Sequence, residues 1–115
     1  MATLQKLDIL TMGRLKTETV EVEGGQVLVS EIGAADSFAL FSDPDNQDEN
    51  KNIRMATFGP KLVAMCVVDD DGNRLFSNEE APALARLHPV LFGKLVNAAM
   101  RVNGLLGGED APVKK

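Results

Sequence analysis

The sequence predicts an α+β domain, mainly helical, with an N-terminal β-hairpin packed on the helices. Two observations carry this expectation. Residues 17–32 hold the one alternating stretch, Thr17-Glu18-Thr19-Val20-Glu21-Val22 and then Gln26-Val27-Leu28-Val29-Ser30-Glu31-Ile32, with Gly24-Gly25 between the two runs. Two β-branched runs about a glycine pair read as a hairpin. Three later segments repeat apolar residues at spacings of three and four, the period of a helix with one buried face. Size agrees: 115 residues is the length of one domain, which buries about two thirds of the surface of its unfolded chain.

Taken in order, residues 1–15 mix Leu4, Leu7, Ile9 and Leu10 with polar residues ahead of Gly13 and read as an N-terminal arm or a short helix. In the hairpin, Val27 and Val29 share one face while Leu28 and Ile32 share the other, so helices must cover one side of it. A helix is expected over 34–41, with Ala34, Phe38 and Phe41 on one stripe. Residues 42–52 lack apolar side chains and carry Asp43, Asp45, Asp48 and Glu49, the composition of a solvated linker or mobile loop. The segment 53–68 is the most apolar and reads as a helix forming the core, although Gly59-Pro60 must either kink it or break it. Asp69 to Asn73 is a turn, Arg74-Leu75-Phe76 a short strand, and Ser77-Asn78-Glu79-Glu80 a capping box that opens a helix over 78–87. Pro89 suits the first turn of a last helix over 89–103. There Leu91, Leu95, Ala99 and Val102 form one face opposite Lys94, Asn97 and Arg101, and Asn103-Gly104 supplies a left-handed stop. Residues 107–115 read as a flexible tail, which leaves 16–106 as the domain.

Charge and composition narrow the function. Twelve Lys and Arg against seventeen Asp and Glu give a formal charge of −5, which argues against a nucleic-acid surface, since that needs a clustered basic face. No run is apolar enough to suggest a membrane segment, and the N-terminal stretch lacks the basic start and cleavage site of an export signal. The single cysteine, Cys66, sits in an apolar run and reads as a packed thiol in a reducing compartment, so a cytoplasmic location is expected. Five Phe with no Trp and no Tyr disfavour a small-molecule pocket.

Three patterns bear on chemistry. His88 precedes a proline and has no cysteine, carboxylate or serine at a recognisable spacing, so an interhelical or surface role is expected of it. Counting twelve positions from Asp69 places Asp69, Asp71, Asn73, Phe76, Ser77 and Glu80 as in most of a calcium-binding EF-hand loop, but Arg74 stands where the sharp turn needs glycine. A turn, a strand and a capping box account for the same residues. Neither a catalytic constellation nor a cofactor motif emerges, and a non-enzymatic protein without cofactor or metal is expected.

The order of pieces is itself informative. The hairpin KTETVEVEGGQVLVSEIGAAD, the helix-to-turn segment LVAMCVVDDDGNRLFSNEE and the closing RVNGL together resemble the tail assembly chaperones of long-tailed, siphovirus-type bacteriophages. This resemblance implies a non-enzymatic protein of the host cytoplasm, absent from the mature virion. Its partners would be the tape-measure protein, kept soluble before it is enclosed, and the tail-tube protein, whose subunits polymerise around it. Self-association is a further implied contact, as is a longer form made by a programmed frameshift, for which Lys114-Lys115 would be the slippery end. Apolar helix faces suit such a client, and Leu91, Leu95, Ala99 and Val102 are the expected partner-binding residues. The alternatives are an acidic interaction adaptor or inhibitor working through the 42–52 loop, and a calcium-binding module.

Overall fold

The computed structural model describes residues 3–13, 15–50 and 52–105, so the tail expected over 107–115 and the frameshift at its end lie outside the described residues. The chain is an α+β domain, with five α-helices and a three-stranded antiparallel sheet in the order β1-β2-β3 among the described residues. Strand β1, Thr17–Val22, pairs with β2, Gly25–Ser30, in the register Val20↔Val27 and Val22↔Gly25. The turn is therefore Glu23-Gly24, one residue earlier than the glycine pair suggested. Gly24 has φ +89°, a conformation that an L side chain resists. Pairing continues beyond the strand ends: the Glu31 amide donates to the Lys16 carbonyl at 2.8 Å, and the Lys16 amide donates to Glu31 Oε1 at 2.6 Å.

A short helix α1, Lys6–Met12, precedes the hairpin and ends at Gly13, whose amide donates to the Ile9 carbonyl. Helix α2, Ala34–Ser42, follows it and buries Leu40 rather than the expected Phe38, which is 77% exposed. The helix presents Leu40 and the half-buried Phe41 inward, and the Phe41 ring lies 5.3 Å from that of Phe58. Phe38 stands outside this stripe.

The acidic loop is ordered by its own polar groups. A 3₁₀ turn, Pro44–Asn46, leads to an isolated bridge between Gln47 and Ile53. Asn46 is 1% exposed and donates from Nδ2 to the Leu40 carbonyl at 2.9 Å, while Gln47 Nε2 reaches the Phe41 carbonyl at 2.7 Å. Asp48 Oδ1 accepts the amides of Asn50 and Asn52, which hold its carboxyl below the usual range, the Asn52 bond foremost. Lys61 Nζ meets Asp43 Oδ2 at 2.7 Å and lowers that carboxyl likewise. The expected solvated linker is thus a tied loop, because Asn, Asp and Gln side chains can satisfy nearby backbone that no strand or helix pairs.

Helix α3, Met55–Cys66, runs continuously through Pro60. Pro60 removes one backbone donor, but the preceding residue is Gly59, which lacks the Cβ that the proline ring would crowd. The helix stops at Cys66 and not at 68. Val67–Val68 forms β3, an edge strand paired with Leu28 and Val29 of β2. Two buried β-branched residues beside a strand with open backbone groups gain more from the ladder than from another helical turn. Arg74 makes only an isolated bridge with Val68, so the expected strand over 74–76 is not formed.

The helix expected over 78–87 is also shorter. A 3₁₀ turn, Asn78–Glu80, precedes α4, Ala81–Leu84. The Ser77 amide donates to Glu80 Oε1 at 2.7 Å, the reciprocal arm of a capping box. Beyond Leu84 the amides of Arg86 and Leu87 donate three residues back, tightening the chain before His88 turns extended ahead of Pro89. Helix α5, Pro89–Val102, buries Leu95, Val96, Ala98 and Ala99 against α3 and the valine face of the hairpin. Its end is a Schellman stop: the Leu105 amide donates to the Met100 carbonyl, that of Gly104 to Arg101, and Gly104 has φ +71°. Arg101 pairs with Glu18 across the sheet edge, its Nε 3.1 Å from both carboxylate oxygens.

Asn103 fastens three elements. Its Oδ1 accepts the Ile32 amide at 3.0 Å, and its Nδ2 donates to the Ala99 carbonyl at 2.7 Å and to Cys66 Sγ at 3.4 Å.

Candidate functional site

An open groove of ≈ 860 Å³ lies between the tip of the hairpin, the segment after β3, α4 and the first turns of α5. Four separate stretches build it. Val22 and Val27 come from the hairpin, where alternation turns them toward the helices; Leu75 and Phe76 follow the Asp69–Asn73 turn; Leu84 and Leu87 come from α4 and its tight exit; Val90, Leu91 and Leu95 line the α5 side. Leu95 at 5% exposed is a buried part of that lining, whereas Leu75 at 54% and Val90 at 62% are open to solvent. Charge enters through Glu23 and Lys94, and His88 completes the lining. Such a surface offers apolar contact with a few polar groups at its edge, the composition that receives one face of an amphipathic helix.

The residues expected to bind a partner separate into two pairs. Leu91 and Leu95 line the groove, whereas Ala99 is fully buried in the core and Val102 is half-buried toward the far end of α5. Leu75, Phe76, Leu87 and Val90 were missed, because no periodicity within one element links residues brought together from three. The hint available was the run of large apolar residues at the exposed ends of short elements.

His88 has a structural duty: its Nδ1 accepts the Val90 amide at 3.2 Å and caps α5. Cys66 is fully buried, and burial pushes its thiol up to about 11 against the smaller opposing effect of the Asn103 bond; it is a neutral, unreactive group at physiological pH. Several donors of the calcium-loop-like stretch serve its own backbone. Asp69 Oδ1 accepts the amides of Asp71 and Asn73 at 2.8 and 2.9 Å, and Glu80 is held by the Ser77 amide. Arg74 reaches back to the Ala64 carbonyl and to Asn78 Oδ1. Among the described residues no three His, Cys, Asp or Glu side chains converge as a metal site would need, and no helix among them is long and apolar enough to cross a membrane.

No family model, curated protein or solved structure matches this chain.

Proposed function

We propose that the chain is a non-enzymatic tail assembly chaperone of a long-tailed bacteriophage, which holds apolar helical segments of the tape-measure protein in the groove and helps tail-tube subunits assemble around them. The observation that carries this reading is the groove itself: an apolar surface open along α5, with charge only at Glu23 and Lys94 and the capping His88 beside them. A tape-measure chain presents apolar helical stripes before it is enclosed, and a chaperone must cover them reversibly. A contact confined to one groove is small enough to release. The excess of negative charge on the rest of the chain keeps such a complex soluble. The work is done in the host cytoplasm, and the protein leaves before the virion is complete.

Titration calorimetry with synthetic amphipathic segments of the tape-measure protein tests the reading. Leu75→Asp with Val90→Asp removes two exposed apolar contacts, each worth about 1.5–3 kcal/mol when buried, so binding should weaken by at least about tenfold while the fold is kept. Neutralising Asp43, Asp45, Asp48 and Glu49 to their amides should leave it unchanged. Binding that survives the first change and fails after the second would replace the groove by the acidic loop as the contact surface.

A further inference from the structure

Asn103, which fastens the hairpin to α3 and α5, is followed by Gly104, and no other asparagine of the chain precedes a glycine. Such a pair is chemically labile in an open peptide. The backbone nitrogen of the following residue attacks the asparagine Cγ, and glycine permits this best, because it has no Cβ to hinder the approach and its backbone turns freely.

In the closed structure that attack is out of reach. Asn103 has ψ 3°, which turns the Gly104 nitrogen away from the side chain by roughly 120° about the Cα–C bond, the tetrahedral spacing at Cα. Both reacting groups are also engaged: the Gly104 amide donates to the Arg101 carbonyl at 3.0 Å, and Asn103 Nδ2 donates to the Ala99 carbonyl at 2.7 Å. The stop that holds them is nonetheless shallow. Asn103 is half-buried, and Gly104 is exposed, with open space where a Cβ would stand. The last turn of a helix opens locally far more often than a whole domain unfolds, and once it opens, rotation of ψ brings the nitrogen to Cγ.

We propose that Asn103-Gly104 is a self-modifying site, at which opening of the α5 stop lets the asparagine deamidate to a product that can no longer close it. The Gly104 nitrogen bonds to Asn103 Cγ and gives up its proton, the Cγ–Nδ2 bond breaks, and ammonia leaves with that proton. Water then adds to one or other carbonyl of the resulting succinimide and opens the ring, giving aspartate or isoaspartate. Either product lacks the Nδ2 donor. Aspartate sets an acceptor against the Ala99 carbonyl and a negative charge at the C-terminal end of α5, where the helix already carries partial negative charge. Isoaspartate adds a carbon to the main chain, so the bonds from Gly104 and Leu105 lose their register. The change runs one way, and the closed fold therefore has a lifetime set at this one residue pair.

Peptide mapping of the full chain, incubated at physiological temperature in mildly alkaline buffer beside the same chain in strong urea, tests this, with isoaspartate distinguished by electron-transfer fragmentation. Residue 103 should convert before any other asparagine. The folded chain should convert more slowly than the unfolded one, by no more than about a thousandfold, since whole-domain unfolding would slow it further. Leu105→Ala weakens the packing of a partly buried residue beside the stop and leaves Asn103-Gly104 intact, so it should speed conversion severalfold in the folded chain and not in urea. Converted protein, separated by anion exchange on its added negative charge, should unfold at a lower urea midpoint than the unconverted fraction of the same incubation. A folded rate equal to the unfolded rate, or below about a thousandth of it, overturns the proposal. So does earlier conversion at another asparagine, a rate unmoved by Leu105→Ala, or a converted fraction whose midpoint is unchanged.

Discussion

Replacing Asn103 by alanine removes one side chain from the junction of the hairpin, α3 and α5. The backbone at 103 has φ −94°, so alanine introduces no strain, and the effect comes from hydrogen bonds alone. The Ala99 carbonyl keeps the Asn103 amide as a donor at 3.3 Å, and a sulfur acceptor at 3.4 Å contributes little. The main loss is the Ile32 amide, half-buried and left without its acceptor. One net hydrogen bond and part of the cost of an unsatisfied donor come to about 2 kcal/mol, or a drop in Tm of about 8 °C for a domain of this size. Urea unfolding followed by circular dichroism should show a lower midpoint with an unchanged slope, and the Ile32 amide should exchange faster than global unfolding explains. A midpoint shift worth less than about 0.5 kcal/mol, the level of an ordinary surface change, together with unchanged Ile32 protection, would refute the assignment of Asn103 as the fastening.

Three more changes act through different physical causes. Gly59→Ala should destabilise the fold by about 1 kcal/mol, because a Cβ there crowds the ring of Pro60 beside it in the helical conformation, although the Met55, Phe92 and Val96 side chains, each at 3.7 Å, leave room; thermal denaturation decides it, and a higher Tm would mean that the gain in helix propensity outweighs the crowding at Pro60. Gly24→Ala should cost about 1–2 kcal/mol since φ is +89° there with open space around it, a loss due to backbone conformation alone. For Cys66 the folded thiol titrates near 11, above its ordinary value of 9.0. The unfolded chain therefore sheds its proton first, and stability falls by about 3 kcal/mol between those two pH values. Urea midpoints should show that slope in the native chain and lack it in Cys66→Ala.

Legibility in the sequence followed the strength of each local signal. The hairpin and α5 were readable because alternation and the Pro89-to-Gly104 frame admit few other conformations. The length of α4 was not, because its capping box announces a start while the geometry before Pro89 sets the end. Val67 and Val68 sit in a run with no polar stripe, where helix and strand look alike, and only the open edge of β2 decides between them. The order of the acidic loop depends on which carbonyls lie within reach of Asn46 and Gln47, a fact of tertiary structure. Of the proposed contact face, Leu91 and Leu95 were readable from α5 alone; the rest of the groove is assembled from elements far apart in the chain.

The Ile32–Asn103 and Glu18–Arg101 bonds join residues 71 and 83 positions apart, and this separation has a consequence in time. During synthesis the hairpin is made early, yet the helix that covers Val20 and Val29 comes some seventy residues later in the chain. Until α5 has emerged from the ribosome, the valine face of a completed hairpin stands open in the nascent chain, and a long intervening loop must close, at an entropic cost, before that face is covered. The protein thus begins life exposing the kind of apolar surface that its own groove is proposed to cover in another chain.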